Sequence, residues 1–197
     1  MKRIIIVLIT ILTCIILFSY LWYKVAWKCY VEKKSILSFT QQINNCEGFP
    51  ENFYLTYDKI HPGHRFDSFE RTTLKKIFNS SGNLIPTSPS RYVSYTYFLA
   101  QGKLKNRLMH IYLISAVESN TSIEKCFDYY LHNFDFLNGR KGIKSLVQEE
   151  YGKTVDKLSE KEIIEVTLLL RNPILYNKHR YPERVSRMID KIGIQLE

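Results

Sequence analysis

Residues 123–153, with the sequence IEKCFDYYLHNFDFLNGRKGIKSLVQEEYGK, decide the fold. Apolar residues of the first part recur at helical spacing, which predicts a helix with one apolar face: Cys126, Phe127, Tyr130 and Leu131. Asn138-Gly139 and Gly142 then interrupt the pattern and supply positions where the backbone can adopt positive φ. The helical period resumes at Ile143, Leu146 and Val147. The stretch is therefore predicted to form a helix, a glycine-bearing turn and a second helix, with a third helix beginning at Thr154.

Helical patterns also surround this stretch. They predict further helices at residues 28–45, 70–79, 108–117, 159–170 and from 181 to about 192. Ser159 and Glu162 form a capping box at the start of one of them. Residues 91–100 fit a strand or a helix equally well. The predicted fold class is mainly α, with a single helical domain and no phosphate-binding glycine loop.

The composition permits a folded core and favours anionic partners. The chain has 197 residues, of which 45% are hydrophobic, and a formal net charge of +9. A basic protein attracts phosphates, nucleic acid or acidic lipid headgroups. Because the chain also carries a membrane anchor, lipid headgroups or lipid-linked phosphates are expected as partners in preference to nucleic acid.

The anchor is predicted at residues 4–23, which contain no charged residue and are long enough to span a bilayer as a helix. A cleavable signal peptide is the alternative, but the apolar core is long and Leu21-Trp22-Tyr23 is a poor cleavage site. Basic residues flank both ends, so they do not decide the orientation. The predicted organisation is an anchor at 1–24, a juxtamembrane helix and connector at 25–50 and a domain at 51–197.

The four cysteines are predicted to differ in environment. Cys14 lies in the anchor, and Cys126 is expected to be a buried thiol on an apolar helix face. Cys29 and Cys46 can pair if the domain is exported to an oxidising compartment.

Residues 53–69 hold a polar cluster, and three interpretations of it remain open. Its members lie within ten residues: Asp58, His61, His64, Arg65 and Asp67. Two histidines and an aspartate suit several divalent metals, but the spacing matches no zinc signature. Histidine and aspartate together can perform acid–base catalysis. On these residues alone, a polar turn around Pro62-Gly63 is favoured, and no metal site is predicted.

From residue 108 to about 192, the chain resembles the C-terminal half of glycosyltransferase family 51, the peptidoglycan glycosyltransferases. The matching residues keep the family's order and spacing: Tyr130-Leu131-His132, Phe136, Asn138-Gly139, Gly142-Ile143, Tyr151-Gly152-Lys153, Leu158, Glu162, Leu168, Pro173, Tyr176-Asn177, Pro182-Glu183 and Arg187. The resemblance implies a lysozyme-like helical lobe and a smaller hydrophobic lobe against the membrane. It implies a single-pass protein of the bacterial inner membrane, with most of the chain on the extracytoplasmic side. The implied partners are a lipid-linked peptidoglycan precursor, a glycan or another cell-wall synthase.

The family's catalytic motifs are changed in this chain. The family's general-base glutamate corresponds to Tyr57, followed by Asp58, and the motif's histidine corresponds to His64 or, with a different alignment, to His61. A tyrosine, with an unperturbed pKa near 10, does not replace a carboxylate base at neutral pH.

Two further motifs are also reduced. Of the second motif only Thr96 remains, and the glutamate of the third motif corresponds to His110. Its basic pair is half kept as Arg107. With Lys103 and Lys105, Arg107 is predicted to contact phosphate or lipid, where cations stabilise a departing pyrophosphate.

Three hypotheses follow. The first is a degenerate family member that acts by binding. The second is an active enzyme in which Asp58, His64 or His110 is catalytic, with His61 as a further candidate base and Mg²⁺ or Mn²⁺ as an allowed cofactor. The third is a membrane protein whose basic side chains dock anionic lipid: Lys75, Lys76, Lys103, Lys105 and Arg107. The proposed alignment predicts that one cleft is lined by the residues at the family's motif positions, namely Tyr57, Thr96, Arg107 and His110.

Overall fold

The computed structural model describes residues 2–78, 86–100, 107–137 and 139–196, and of residues 100, 107, 108 and 194–196 it describes the backbone alone. Within these ranges the chain forms ten α-helices and no β-strand, so the predicted mainly α fold is confirmed. The helices are α1 (Lys2–Tyr30), α2 (Lys33–Asn44), α3 (Glu51–Ile60), α4 (Phe69–Phe78), α5 (Pro89–Ala100), α6 (Arg107–Asn120), α7 (Ile123–Asn133), α8 (Gly142–Tyr151), α9 (Glu160–Arg171) and α10 (Pro182–Leu196).

The predicted helix–turn–helix of residues 123–153 is present as α7 and α8. The Ser122 side chain caps α7 by accepting a hydrogen bond from the Lys125 amide at 3.2 Å. An isolated antiparallel bridge between Asp135 and Lys141 closes the turn. Gly142 has φ +77°, and a Cβ atom there would overlap the main-chain carbonyl of His132. This turn therefore requires glycine at position 142.

Two predicted helix boundaries were wrong. A helix was expected to begin at Thr154, but a 3-10 turn covers Val155–Lys157 instead. The helix predicted at 159–170 is present as α9, and the predicted capping box of Ser159 and Glu162 is confirmed. The single helix expected at residues 28–45 is divided between α1 and α2.

The division between α1 and α2 follows from core packing. Trp27 and Ile36 are buried in the same hydrophobic cluster. A straight helix would place them on opposite faces, because they are nine residues apart and each residue adds about 100°. The break after Tyr30 brings both onto one core. Residues 25–50 therefore pack with the rest of the domain, although the proposed boundaries at 24 and 50 remain predictions.

Helix α7 lies between the two larger core clusters. Phe127 and Leu131 belong to the cluster built mainly from α3, α8 and α9. Cys126 belongs to the cluster built from the end of α1, α2, α5 and α6. A smaller cluster joins α9 to α10 through Leu168 and Val185. Helix α7 therefore contributes side chains to both of the larger core clusters.

The first part of α1 stands outside these clusters. Its most apolar 18-residue window has a mean hydropathy of 2.9, and none of it is buried within the protein. The helix is long and apolar enough to cross a membrane. All four cysteines are free, so Cys29 and Cys46 do not form a disulfide in this structure.

Candidate functional site

The polar cluster of residues 57–67 forms where α3 ends and the chain reverses. Helix α3 stops at Ile60, Gly63 adopts a left-handed conformation with φ +68°, and a 3-10 turn follows at His64–Phe66. The turn expected around Pro62-Gly63 is thus present. It carries His64 back against Tyr57 on α3.

Both ring nitrogens of His64 are engaged in hydrogen bonds. Nε2 lies 3.1 Å from the carbonyl oxygen of Thr87, and Nδ1 lies 2.8 Å from the hydroxyl oxygen of Tyr57. Because a carbonyl only accepts, Nε2 carries the proton and donates, and Nδ1 accepts from the Tyr57 hydroxyl. Only 3% of His64 is exposed, and burial lowers its pKa from 6.5 to about 4. His64 is therefore a neutral histidine that joins α3 to the segment before α5.

Tyr57 lies in the core rather than on the wall of an open cleft. Its exposed fraction is 2%, and its ring packs against Phe53 and Phe127 at centroid distances of 6.3 and 4.7 Å. Burial, followed by the proximity of Tyr130 and Asp58, raises its pKa well above the usual value of 10. The phenol thus stays protonated and serves as a donor to His64.

Asp58 retains one carboxylate oxygen that is not hydrogen-bonded. Its Oδ2 accepts a hydrogen bond from Nε of Arg65 at 2.7 Å, whereas Oδ1 is buried and has no partner. The guanidinium of Arg65 also lies over the ring of Tyr54, 4.5 Å from its centroid. A buried carboxylate oxygen without a partner is costly, so the unused hydrogen-bonding capacity of this cluster lies at Oδ1 of Asp58.

The remaining acid and histidine of the cluster differ in their surroundings. The buried carboxylate of Asp67 forms ion pairs with Arg71, at 3.1 Å, and with Lys75. His61 packs beside Tyr57, with ring centroids 5.3 Å apart. Burial, followed by the proximity of His64 and Arg171, lowers the pKa of His61 to about 4. Asp67 is therefore neutralised by cations, and His61 is uncharged at neutral pH.

The side chains of this cluster are mostly committed to partners within the protein. The two nitrogens of His64 are used, Asp58 is paired with Arg65, and Asp67 is paired with two cations. No group of three or more His, Cys, Asp or Glu side chains within the described residues could hold a metal ion. The cluster therefore does not supply a ligand set for Mg²⁺ or Mn²⁺.

Thr96 and His110 lie on the α5–α6 side of the molecule. The Thr96 hydroxyl donates to the carbonyl of Val93 at 2.7 Å within α5. His110 packs against Tyr95 and Phe98, both at 6.0 Å between ring centroids. Burial is the main effect on the pKa of His110, and it lowers it. A hydrogen bond with the backbone of Arg91 raises the pKa, whereas the charge of Arg91 lowers it further. Nε2 of His110 is buried without a partner.

His64 is hydrogen-bonded to Thr87, and His110 is hydrogen-bonded to the backbone of Arg91. Both histidines therefore contact the chain near the start of α5. The structure brings these two histidines to one segment, but it does not place Tyr57 in an open cleft with Thr96. Lys103 and Lys105 lie outside the described residues, and of Arg107 only the backbone at the start of α6 is described. The predicted phosphate-binding role of these three residues stays a prediction.

Two residues that the sequence analysis did not single out contribute to this region. Arg91 is exposed at the start of α5. The pKa of Lys76 is lowered mainly by burial and to a smaller extent by the nearby charge of Arg91. The Glu118 carboxylate accepts hydrogen bonds from the Phe69 amide at 2.7 Å and from the Ser90 hydroxyl at 2.6 Å. Glu118 thereby holds the starts of α4 and α5 together. Its signal in the sequence is an acidic residue that directly follows a long apolar run.

Comparison with known proteins identifies the family. The model of the transglycosylase family matches residues 87–196, which are more than half of the chain and include α5 to α10. The match begins at Thr87, so Tyr57, Asp58 and His64 precede the matched range. No curated protein matches the chain. The helical architecture of the described residues is consistent with the lysozyme-like fold of this family. The chain therefore belongs to the transglycosylase family, glycosyltransferase family 51.

Proposed function

We propose that this protein is a membrane-anchored, peptidoglycan glycosyltransferase-like protein of cell-wall synthesis that acts by binding. Its ligand is a lipid-linked peptidoglycan precursor, a glycan strand or another cell-wall synthase. The observation that carries the proposal is the hydrogen bond between Tyr57 and His64, at the position proposed for the family's general base. The family match supports the wider statement of a glycosyltransferase-like domain.

The chemistry of that hydrogen bond argues against a general base there. A base must present a lone pair to the hydroxyl that it deprotonates. His64 directs its lone pair to the Tyr57 hydroxyl, and its N–H to the Thr87 carbonyl. Tyr57 stays protonated because burial raises its pKa. Neither group is free to receive a proton from an acceptor sugar.

The membrane part of the proposal rests on α1. This helix continues without a break from an apolar segment into the core, where Ala26 and Trp27 are buried. The domain is thereby attached to the anchor without a flexible linker. We place residues 51–197 on the extracytoplasmic side, as expected of a protein that meets peptidoglycan precursors.

A second candidate function is an active glycosyltransferase in which Asp58 is the base. The unpartnered Oδ1 atom of Asp58 favours it, because this oxygen is the one carboxylate atom of the cluster without a hydrogen bond or ion-pair partner among the described residues. Arg65, bonded to the other oxygen, would keep the carboxylate oriented.

One assay separates the two functions. Full-length protein in detergent is given fluorescent lipid II with Mg²⁺ or Mn²⁺, and the products are separated by gel electrophoresis. We expect no polymer, together with retained binding of lipid II. Glycan chains that form with the native protein and disappear with Asp58→Asn would establish the second candidate instead.

A binding measurement addresses simple attraction to anionic lipid. Nanodiscs of phosphatidylcholine that contain lipid II are compared with nanodiscs of phosphatidylcholine that contain phosphatidylglycerol instead. The two kinds of nanodisc carry the same total negative charge. The proposal requires tighter binding to lipid II at equal charge. Equal binding that weakens with salt would instead favour general docking of anionic lipid.

A further inference from the structure

Arg171, in the last turn of α9, has hydrogen-bonding capacity that the described residues do not use. Its guanidinium packs over the ring of Tyr176, with Cζ 5.8 Å from the ring centroid. Among the described residues it forms neither a hydrogen bond nor an ion pair, and its Nε atom is buried. Proteins rarely leave a buried donor unpaired, and an unpaired one indicates a water, an ion or a ligand. Arg171 therefore has donors left for a partner from outside the protein.

The turn that follows α9 keeps Arg171 and Tyr176 in this arrangement. Oδ1 of Asn172 accepts hydrogen bonds from the amides of Ile174 and Leu175, both at 3.0 Å. The carbonyl of Asn172 accepts a further bond from the Tyr176 amide at 3.1 Å. Bonds of this kind fix a turn locally. The guanidinium is therefore already positioned, which reduces the entropy that it loses when a ligand binds.

His61, directly after the end of α3, lies close to Arg171. Ile60 packs against the core cluster between α9 and α10, and Tyr176 packs against the same cluster. Arg171 is near enough to contribute to the lowered pKa of His61, after the larger effects of burial and of His64. The ends of α3 and α9 therefore bring the two side chains together.

Together, the two side chains have the donors that an oxyanion needs. A guanidinium carries five N–H groups, and a neutral imidazole carries one. The ring of His61 packs against Tyr57 and forms no hydrogen bond within the described part of the chain. Carboxylate and phosphate groups accept two parallel bonds from a guanidinium, and the imidazole N–H is a further donor. Such a group would also supply the negative charge that Arg171 lacks among the described residues.

A structural role at the end of α9 is the alternative, because a cation near a helix C-terminus interacts favourably with the helix dipole. Two of the last carbonyls of α9 already have donors, however. The Leu168 carbonyl accepts from the Asn172 amide at 3.1 Å. The Leu170 carbonyl accepts from the Tyr130 hydroxyl at 3.2 Å. Capping of these carbonyls therefore does not use the donors of Arg171.

We propose that Arg171 and His61 bind an oxyanion, a carboxylate or a phosphate group, between the ends of α3 and α9. The site belongs to the part of the domain where α3, α9 and α10 pack together, whereas α1 packs on α6. The ligand is therefore a soluble molecule or segment, and not a headgroup of the bilayer around α1. The inference does not depend on the proposed function, because simple ions test it.

The test uses full-length protein with isotope-labelled histidine in detergent micelles at pH 7. The NMR signal of His61 is assigned from its loss in His61→Gln. Sodium phosphate or sodium acetate is added while sodium chloride is reduced, so that the ionic strength stays constant. We expect a saturable shift at His61 that is severalfold larger than the shift at His132 on α7. Tighter binding of phosphate assigns a phosphate group as the ligand, and tighter binding of acetate assigns a carboxylate. A native protein with no saturable shift for either ion would overturn the inference.

Three variants separate a built site from general attraction. Arg171→Gln should weaken binding of the preferred ion by at least about tenfold, because it removes a charge-assisted pair of hydrogen bonds. Arg171→Lys keeps the charge but not the paired donors, so binding should weaken severalfold. Arg184→Gln is the matched control, because Arg184 also lies over a tyrosine ring, that of Tyr181 at 5.4 Å, but on the exposed face of α10. It removes the same charge and should leave the affinity unchanged.

Two results with these variants would contradict the site. Equal weakening by Arg171→Gln and Arg184→Gln would attribute binding to the net charge of the protein. A lower melting temperature of Arg171→Gln with unchanged affinity would show that Arg171 serves only the end of α9. If Arg171→Gln does not fold by circular dichroism, Arg171→Lys decides, and native affinity in that variant would overturn the inference.

Discussion

The hydroxyl oxygen of Tyr57 lies 2.8 Å from Nδ1 of His64, and the pair links α3 to the segment before α5 through the carbonyl of Thr87. By the proposed alignment, these are the positions of the family's base and its motif histidine. In this protein they form a buried hydrogen-bonded pair that links two segments of the chain. The region that would perform catalysis in the family thus contributes to the stability of this protein.

Removing the Tyr57 hydroxyl should therefore destabilise the fold. Tyr57→Phe leaves Nδ1 of buried His64 without a partner, which is expected to cost about 1–2 kcal/mol in the free energy of unfolding. Tyr57→Glu, which by the proposed alignment introduces the family's glutamate, should cost about 3 kcal/mol or more, because it places a carboxylate in the core. Chemical denaturation in detergent, followed by circular dichroism, measures both.

Tyr95→Phe is the matched control, because Tyr95 is 44% exposed on α5. It should change the free energy of unfolding by no more than about 0.5 kcal/mol. If Tyr57→Glu were as stable as the native protein and polymerised lipid II, position 57 would face the active cleft. The structural role proposed for the Tyr57–His64 hydrogen bond would then be refuted.

The depressed pKa of His64 predicts a pH-dependent stability. Its pKa falls from 6.5 to about 4 on folding, so the unfolded chain binds the proton more tightly. Stability from this group is complete above pH 6.5 and is lost as the pH falls toward 4, by at most about 3 kcal/mol. Melting temperatures between pH 7.5 and 4.5 should show this decrease. His64→Asn should reduce the slope of melting temperature against pH. An unchanged slope would mean that His64 does not contribute to the pH dependence of stability.

The helical framework could be predicted from the sequence because its signals are local. The apolar period of residues 126–131, the glycines at 139 and 142 and the capping box at Ser159 each act within a few residues. The break between α1 and α2 was not predicted, because it depends on Trp27 and Ile36 entering the same cluster from separate helices. A single-helix pattern does not contain that information.

The candidate site could be predicted less well, because its contacts are distant in sequence. The histidines and aspartates at positions 58, 61, 64 and 67 allowed an acid–base cluster as one interpretation. The partners that decide their chemistry include Thr87, which is 23 residues from His64, and Phe127, which covers Tyr57. Glu118 was missed because its role arises from the starts of α4 and α5 meeting beside α6.

The α7–α8 turn offers a test of its backbone requirement. Gly142→Ala should destabilise the protein by about 2 kcal/mol or more, because the new Cβ meets the main chain of His132 at a positive φ. Gly193→Ala on α10 is the control, since a Cβ there meets no atom within 4 Å. It should be neutral or stabilise by up to about 1 kcal/mol, as alanine favours helix. Equal effects at both sites would refute the packing argument.

Leu137 is the one described non-glycine residue with a positive φ, at 71°. Its amide donates to Oδ1 of Asp135 at 2.7 Å, and its carbonyl accepts from the Arg140 amide at 3.1 Å, so the turn holds it in this conformation. This conformation costs a leucine about 1 kcal/mol, whereas asparagine adopts the left-handed region more readily. Leu137→Asn should therefore stabilise the protein by about 0.5 kcal/mol, measured by chemical denaturation.

Leu175→Asn is the matched control, because Leu175 has a similar exposure and no positive φ. Since only Leu137 of the two has a strained backbone, the control should show no gain, and equal gains would attribute the effect to the more polar side chain rather than to the turn.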